Sequence, residues 1–178
     1  SAIGHTYARV VLFFDFGTAG TGVDVTSYVD DIVALPIGEV TTTVLDFEAP
    51  ETSTGFQYFG SPQDGSLNNI VANPNPTGIN TSANVSDYVK PAVAETWAGA
   101  FSNPAPTTPI DLGTGGQICV KVHMDHIGNL ALKLEGSTSG NPNWITTVAN
   151  TKVGEWEEIC FDSSVPSVEA PFEAASGT

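Results

Sequence analysis

The chain has few basic residues. Five Lys and Arg stand against 20 Asp and Glu in 178 residues, which gives a formal net charge of −15. Nucleic-acid binding and attraction to an anionic membrane surface both depend on clustered Lys and Arg. The composition therefore excludes a nucleic-acid partner, and the excess of acid is typical of high solubility, cation binding or a location outside the cell.

Long hydrophobic runs are also missing. The longest strongly apolar run, residues 10–14, is far shorter than the roughly 20 residues that a membrane helix needs, so we expect no membrane insertion. Charged residues make up only 14% of the chain, which also contains 18 Gly and 12 Pro. Surface polarity therefore comes largely from hydroxyl and amide groups, a pattern that favours a secreted protein, extracellular or at the cell surface.

Catalytic signatures are absent from the sequence as well. It contains no nucleophile elbow and no glycine-rich phosphate loop beside a helix. A glycosidase needs two carboxylates placed across a cleft, but the adjacent Glu157 and Glu158 would face opposite ways on a strand. We therefore predict that the protein is not an enzyme.

Most of the sequence has the pattern that is typical of β-strands. Short runs rich in Val, Ile, Thr and aromatic residues alternate with breaks at Gly, Pro and Asn. One stretch, residues 87–93, is a candidate for a helical turn with Ser86 as its cap. The spacing of the runs predicts an all-β sandwich. The predicted strands are residues 7–16, 25–33, 43–48, 55–59, 67–72, 96–101, 117–124, 129–135, 143–150 and 155–161.

The chain contains only two cysteines, Cys119 and Cys160. Both lie in strand-like runs, at residues 118–122 and 158–161. A disulfide between them would close a long loop and stabilise the fold by roughly 4 kcal/mol on the chain-entropy model. Because the rest of the composition favours an extracellular compartment, we predict the disulfide; two buried free thiols are the alternative.

Five runs form an ordered set when the two at the front of the chain are moved to the back. In that order the set resembles the carbohydrate-binding-module-like jelly-roll domains of large secreted bacterial proteins. Such domains accompany polysaccharide-degrading enzymes or occur in cell-surface proteins. The resemblance implies a jelly-roll β-sandwich, either circularly permuted or sharing strands with a neighbouring unit. The runs are residues 118–124, 130–135, 156–162, 10–17 and 28–32.

The resemblance also implies a division of the chain. Residues 1–33 would supply the terminal strands of a sandwich, either the chain's own or that of a neighbouring unit. Residues 34–42 would form a linker, residues 43–162 the main body of the sandwich, and residues 163–178 a connector. The sequence leaves open whether residues 1–33 complete the chain's own sandwich or that of a neighbouring unit.

In similar sandwiches, acids at the start of the first strand and in the final strand hold a structural calcium ion. The matching residues here are Asp46 and Glu48, with Asp30 and Asp31. Asp46 and Glu48 are two apart, so on a strand they would project to one face. Asp30 and Asp31 would point to opposite faces, so we expect one of them, preferably Asp31, to be a direct ligand. Solvated carboxylates at a sheet edge are the alternative.

Two further polar groups have a plainer interpretation. Asp15 and Asp24 flank a glycine-rich loop at residues 17–22, which we interpret as a hairpin loop in preference to a second cation site. In the His-rich run at residues 123–126, only two side chains would share a strand face. Transition-metal sites need about three or four convergent ligands, so we interpret this run as polar residues at a strand end.

Sugar stacking needs exposed aromatic rings, and no obvious row of them appears in the sequence. Trp144, which follows the loop at residues 140–143, is the first candidate for a carbohydrate-binding ring, followed by Tyr58 and Trp97. Trp156 lies in a run that resembles a core strand and is assigned to packing. Core packing is the alternative for each candidate, because aromatic side chains dominate core energetics.

Two functions of different classes follow. The order of the strands favours a non-catalytic extracellular structural unit that associates with identical units into a filament, sheath or repetitive surface adhesin. Strands 7–16 and 25–33 would be donated to the open sheet edge of a neighbour. The alternative, favoured by the family resemblance, is a carbohydrate-binding module of a secreted polysaccharide-active protein, with polysaccharide as its partner. Structural calcium is the cofactor we expect.

Overall fold

The chain folds as a β-sandwich in a computed structural model. The structure describes residue 2 and residues 4–38, 40–48, 55–67, 69–136 and 143–168. These residues form twelve strands and no α-helix, and the predicted all-β sandwich is confirmed. None of them belongs to a helix that could span a membrane. The strands are β1 (Thr6–Phe14), β2 (Val25–Pro36), β3 (Thr42–Leu45), β4 (Gly55–Phe59), β5 (Ile70–Ala72), β6 (Asn84–Lys90), β7 (Gly99–Asn103), β8 (Ile110–Asp111), β9 (Gly116–His123), β10 (Asn129–Gly136), β11 (Trp144–Ala149) and β12 (Trp156–Asp162).

The strands form two sheets of six, and every strand pair is antiparallel. Sheet A has the order β11-β10-β1-β7-β4, with β8 also beside β1. Sheet B has the order β12-β9-β2-β6-β5, with β3 also beside β2. Two antiparallel sheets packed face to face are compatible with a jelly-roll-like domain.

The first two strands lie in the middle of the two sheets. β1 pairs with β10 along one edge and with β7 and β8 along the other. β2 pairs with β9 along one edge and with β6 and β3 along the other. Strands of residues 1–33 and of residues 43–162 therefore share one sandwich. Of the predicted connector, residues 169–178 lie outside the described part of the chain.

The core lies between the two sheets and follows the period-two alternation of a strand. In β10, Leu130, Leu132 and Leu134 are fully buried in this core. The same alternation buries Val10, Leu12 and Phe14 of β1, and Ile118, Val120 and Val122 of β9.

Cys119 of β9 and Cys160 of β12 form a disulfide, as predicted. The two residues are directly opposite each other in the antiparallel register of the two strands. Their neighbours Val120 and Ile159 are buried in the core. Because alternate residues of a strand face opposite sides, the disulfide lies on the outer face of sheet B.

The helical turn predicted at residues 87–93 is wrong. Residues 84–90 form β6, which pairs with β2 and β5, and the Tyr88 ring stacks on that of Phe14 with centroids 4.8 Å apart. Sheet pairing and core packing therefore override a weak local helix signal. The sequence also missed β8, because a two-residue strand shows no periodicity.

Candidate functional site

Three stacked aromatic rings form a continuous group on the outer face of sheet A. We call Trp97, Phe59 and Phe101 the aromatic row. The ring centroids of Phe59 and Trp97 are 6.2 Å apart and their planes differ by 16°. Those of Phe59 and Phe101 are also 6.2 Å apart, with planes that differ by 26°. All three side chains are partly exposed, so the row presents a nearly parallel set of apolar rings to solvent.

Two glycines make room for the aromatic row. A Cβ atom on Gly99 would lie 2.9 Å from the Phe59 ring and 2.6 Å from the carbonyl oxygen of Leu12. A Cβ atom on Gly60, whose φ is 72°, would lie 2.7 Å from the Trp97 ring. The two rings therefore rest directly on the backbone, where any larger residue would displace them.

A buried apolar cluster supports the row from below. The Phe13 ring meets the Phe59 ring edge to face, with centroids 5.5 Å apart. Phe16, Phe59 and Phe101 all pack against this cluster. Its buried members are Val11, Phe13, Ala131 and Ile145. Packing from below restricts the rings, so little ordering is left for a ligand to impose.

A groove of about 210 Å³ beside the row has a charged rim. The guanidinium carbon of Arg9 lies 4.7 Å from the centroid of the Phe101 ring. Arg9 Nη1 is 3.3 Å from Glu135 Oε2, and Lys133 Nζ is 3.6 Å from Glu135 Oε1. Apolar rings next to a few fixed donors and acceptors are the combination that binds a polyhydroxylated ligand.

Two of the three predicted carbohydrate-binding residues are core residues in the structure. Trp144 is fully buried, and its Nε1 donates to the carbonyl oxygen of Val165 at 2.9 Å. The Tyr58 hydroxyl accepts a hydrogen bond from the Val89 amide at 2.9 Å, and burial raises the pKa of Tyr58 to about 12. Neither offers a ring to solvent, so Trp97 is the predicted candidate that belongs to an exposed face. Of the loop before Trp144, residues 137–142 lie outside the described residues.

Phe59 and Phe101 belong to the aromatic row but were not among the predicted binding residues. A signal for Phe59 was present, because strict alternation in β4 places Phe59 on the face opposite to the buried Phe56 and Tyr58. No local signal joins Phe59 to Trp97 or Phe101. These residues meet because β4 pairs with β7, a contact between separate segments of the chain.

Asp30 and Asp31 lie in an irregular part of β2, where the register with β9 shifts between Asp30 and Val33. Asp30 is fully buried and accepts hydrogen bonds from Asn80 Nδ2 and from the Asp31 amide, both at 2.9 Å. Burial raises the pKa of Asp30 to about 6. Asp31 is instead partly exposed and pairs with Lys121. Asp30 is therefore the buried carboxylate of the two, and Asp31 as the direct calcium ligand stays a prediction.

Asp46 and Glu48 follow β3 and are not part of a regular strand. β3 ends at Leu45, and Phe47 has a φ of 56°, so strand alternation does not govern these two acids. Glu48 accepts hydrogen bonds from the amide and Nδ2 of Asn84, both at 2.8 Å, which lower the pKa of Glu48. Asp46 Oδ1 accepts from the Glu48 amide at 3.0 Å.

The four acids are not gathered at one point. Among the described residues, the one group of three potential metal ligands consists of Cys119, Cys160 and Glu158. The two cysteines of that group are in the disulfide and offer no thiolate. Calcium also accepts carbonyl and amide oxygens, so calcium binding at the predicted acids stays a prediction.

The fold and its exposed face together define an antiparallel β-sandwich with an aromatic groove on the outer side of one sheet. Comparison with known proteins finds no matching family model, no matching curated protein and no matching solved structure. Function therefore has to be argued from the chemistry of the site.

Proposed function

We propose that the protein is a non-catalytic, extracellular polysaccharide-binding module, with the aromatic row and its charged rim as the binding face. The observation that carries this proposal is the row itself, three nearly parallel rings on an open sheet face. A sugar ring has an apolar C–H face that packs on an aromatic ring. Its hydroxyls would bond to the partly exposed side chains of Arg9 and Glu135.

The groove favours a polymer over a single sugar. It is shallow, about 210 Å³, and it lies beside a row of rings instead of in a closed cavity. Successive sugar units of an extended chain would therefore stack on successive rings. The disulfide supports an extracellular setting, because disulfides persist in oxidising compartments.

The first test is to titrate the protein with soluble β-glucans and other polysaccharides and to follow tryptophan fluorescence. Trp97 lies in the row, whereas Trp144 and Trp156 are buried, so the response should come from Trp97. Trp97→Ala and Phe101→Ala should each weaken binding about tenfold, which corresponds to about 1.4 kcal/mol for one lost stacking contact.

A matched control is Tyr28→Ala, which removes a partly exposed aromatic residue of sheet B whose ring lies 5.9 Å from that of His123. This variant should bind polysaccharide as the wild type does. Circular dichroism of all variants checks that the fold is retained. Absence of binding to every polysaccharide tested, or equal binding by Trp97→Ala, would refute the proposal.

Self-assembly into a structural unit is the second candidate. It is favoured by one observation, that the contiguous segment from β1 to β2 supplies a central strand to each sheet. If copies exchanged this segment, each passing it to the next, the sheet pairings of β1 and β2 would be kept but would join two chains. Repeated donation from copy to copy would give the filament or adhesin unit that the strand order predicted, whereas a mutual exchange between two copies would close into a dimer.

A cysteine trap tests this exchange. Thr26 of β2 is directly opposite Val89 of β6, so Thr26→Cys with Val89→Cys places two thiols across this pairing. In an exchanged assembly the new disulfide would link two chains, which non-reducing gel electrophoresis of the assembled fraction detects. A protein that stays monomeric at high concentration, or an assembly whose cross-links are all within single chains, would contradict the exchange.

A further inference from the structure

A second cavity, of about 560 Å³, lies at one end of the sandwich. We call it the end pocket. It is bounded by the glycine-rich loop at residues 15–24 and by the loop at residues 125–129, and none of its lining residues belongs to the aromatic row. The size is in the range of sites for small molecules.

The walls of the end pocket are held in place by backbone hydrogen bonds. The Gly20 amide donates to the carbonyl oxygen of Ala94 at 2.8 Å, and a Cβ atom on Gly20 would lie 2.4 Å from the Ala92 backbone. On the other wall, buried Asn150 donates to the His126 carbonyl oxygen at 2.8 Å and accepts from the Gly128 amide at 2.7 Å. The cavity is therefore formed before any ligand arrives.

The polar part of the end pocket consists of the His126 ring between the carboxylates of Asp15 and Asp125. His126 Nε2 lies 2.7 Å from Asp15 Oδ1, and His126 Nδ1 lies 2.6 Å from Asp125 Oδ1. Burial alone would lower the pKa of His126, but the hydrogen bonds to Asp125 and Asp15 raise it overall. Because the carboxylates occupy opposite sides of the ring, the three groups do not converge on one metal ion.

The accessible polar atoms of the end pocket are mainly hydrogen-bond acceptors. Among the described residues, Oδ2 of Asp15 and Oδ2 of Asp125 have no hydrogen-bond partner. Lys90 also lines the pocket, but its Nζ is buried and already donates hydrogen bonds to the carbonyl oxygens of Phe14 and Asp15, at 3.0 and 2.9 Å. The positive charge of Lys90 offsets part of the charge of the two carboxylates, and their Oδ2 atoms remain as acceptors for a ligand.

The upper walls are apolar and open to solvent. Val23 is 63% exposed and Ile127 is 57% exposed, and both line the cavity together with Val25 and Ala149. Exposed large aliphatic residues that face one cavity mark a binding site for an apolar group. A ligand that satisfies both parts of the pocket carries a hydrogen-bond donor at the end of an aliphatic chain.

We propose that the end pocket binds an alkylammonium group, with the ammonium donating to Asp15 and Asp125 and the methylene chain packing against Val23 and Ile127. The group belongs either to a free aliphatic amine or to a lysine side chain of another protein. The net charge of −15 attracts such a cation over long range. This inference does not depend on polysaccharide binding.

The test is an NMR titration that observes the methyl groups of Val23 and Ile127. The probes are n-pentylamine and Nα-acetyl-lysine amide, with 1-pentanol and Nα-acetyl-norleucine amide as matched neutral controls. Shifts with pentylamine alone assign the pocket to free amines, and shifts with both amines show that a lysine side chain is accepted. Equal shifts with the neutral controls, or no shifts with either amine, overturn the proposal.

A second experiment uses the variant Asp125→Asn. The Asp125 side chain is 72% exposed, so its substitution should leave the fold intact. Loss of a charge-assisted hydrogen bond should weaken binding of pentylamine about tenfold. Glu158→Gln is the control, since Glu158 is an exposed acid on sheet B, away from the pocket lining. If Asp125→Asn binds pentylamine as tightly as Glu158→Gln does, the proposal is also overturned.

Discussion

Asp30 is a fully buried carboxylate, which is costly unless its charge is compensated. Asn80 Nδ2, the Asp31 amide and the Ser82 side chain provide hydrogen bonds, but burial outweighs them and raises the pKa of Asp30 from 3.8 to about 6. The folded state therefore holds a proton on Asp30 between pH 3.8 and about 6 that the unfolded chain has lost. Below this window Asp30 is protonated in both states and its titration does not affect stability, and above it the ionised group opposes folding.

We expect Asp30→Asn to become more stable relative to the wild type as the pH rises. We compare the free energy of unfolding of the variant with that of the wild type. This difference should increase by at most roughly 3 kcal/mol from pH 4 to pH 7, because each pKa unit is worth about 1.4 kcal/mol. Urea denaturation at several pH values measures this difference. A difference that does not change with pH would show that Asp30 does not titrate in this window.

The same experiment in calcium tests the predicted calcium site. A cation on Asp30 would favour the ionised carboxylate, so the wild type should gain stability in calcium at pH 7 and lose its dependence on pH in this window. The Asp30→Asn variant should gain less. An unchanged wild-type denaturation midpoint in calcium would argue against this site.

At the scale of single elements, the disulfide links the edge strand of sheet B to the neighbouring strand. β12 is the last strand of the sheet, and in the described part of the chain β9 is its strand partner. Cys119 and Cys160 therefore tie an edge strand to its neighbour at a point where the two strands are already in register.

Replacing both cysteines, as Cys119→Ser with Cys160→Ser, should lower the free energy of unfolding by about 4 kcal/mol. The bridge joins residues 41 apart, and the estimate is the loss of loop-closure entropy in the unfolded chain. Urea denaturation of the double variant measures this loss, and the reduced wild type should match it. An unchanged midpoint would mean that strand pairing alone holds β12.

At the scale of the whole molecule, the central strands come from the first part of the chain. β1 meets β10 across a long sequence separation, as in the Arg9–Glu135 contact between residues 126 apart. Such non-local pairing makes the sandwich a slow-folding topology. The same arrangement makes an exchanged assembly conceivable, because a contiguous segment carries one central strand of each sheet.

The aromatic row and the end pocket are separate surfaces of this molecule. The row lies on the outer face of sheet A, and the end pocket lies between loops at one end of the sandwich. Their proposed ligands also differ in chemistry, since the row suits a neutral polyhydroxylated chain and the pocket suits a small cation. Binding at the two surfaces is therefore expected to be independent.

The all-β sandwich and the disulfide could be predicted from local features of the sequence. Alternation of apolar and polar residues is a local property that the chain displays without its fold, and two cysteines allow one pairing. Local alternation in β4 also indicates that the Phe59 side chain points away from the core.

Which residues share a surface depends on contacts between distant segments of the chain. Phe59 and Phe101 meet because β4 pairs with β7, and His126 meets Asp15 across 111 residues of sequence because two distant loops lie at the same end of the sandwich. Trp144 is buried and Asp30 is covered by Asn80 for the same reason, since both depend on segments remote in the chain. Strand register and loop placement are set by the balance of packing over the whole core, which no local pattern contains.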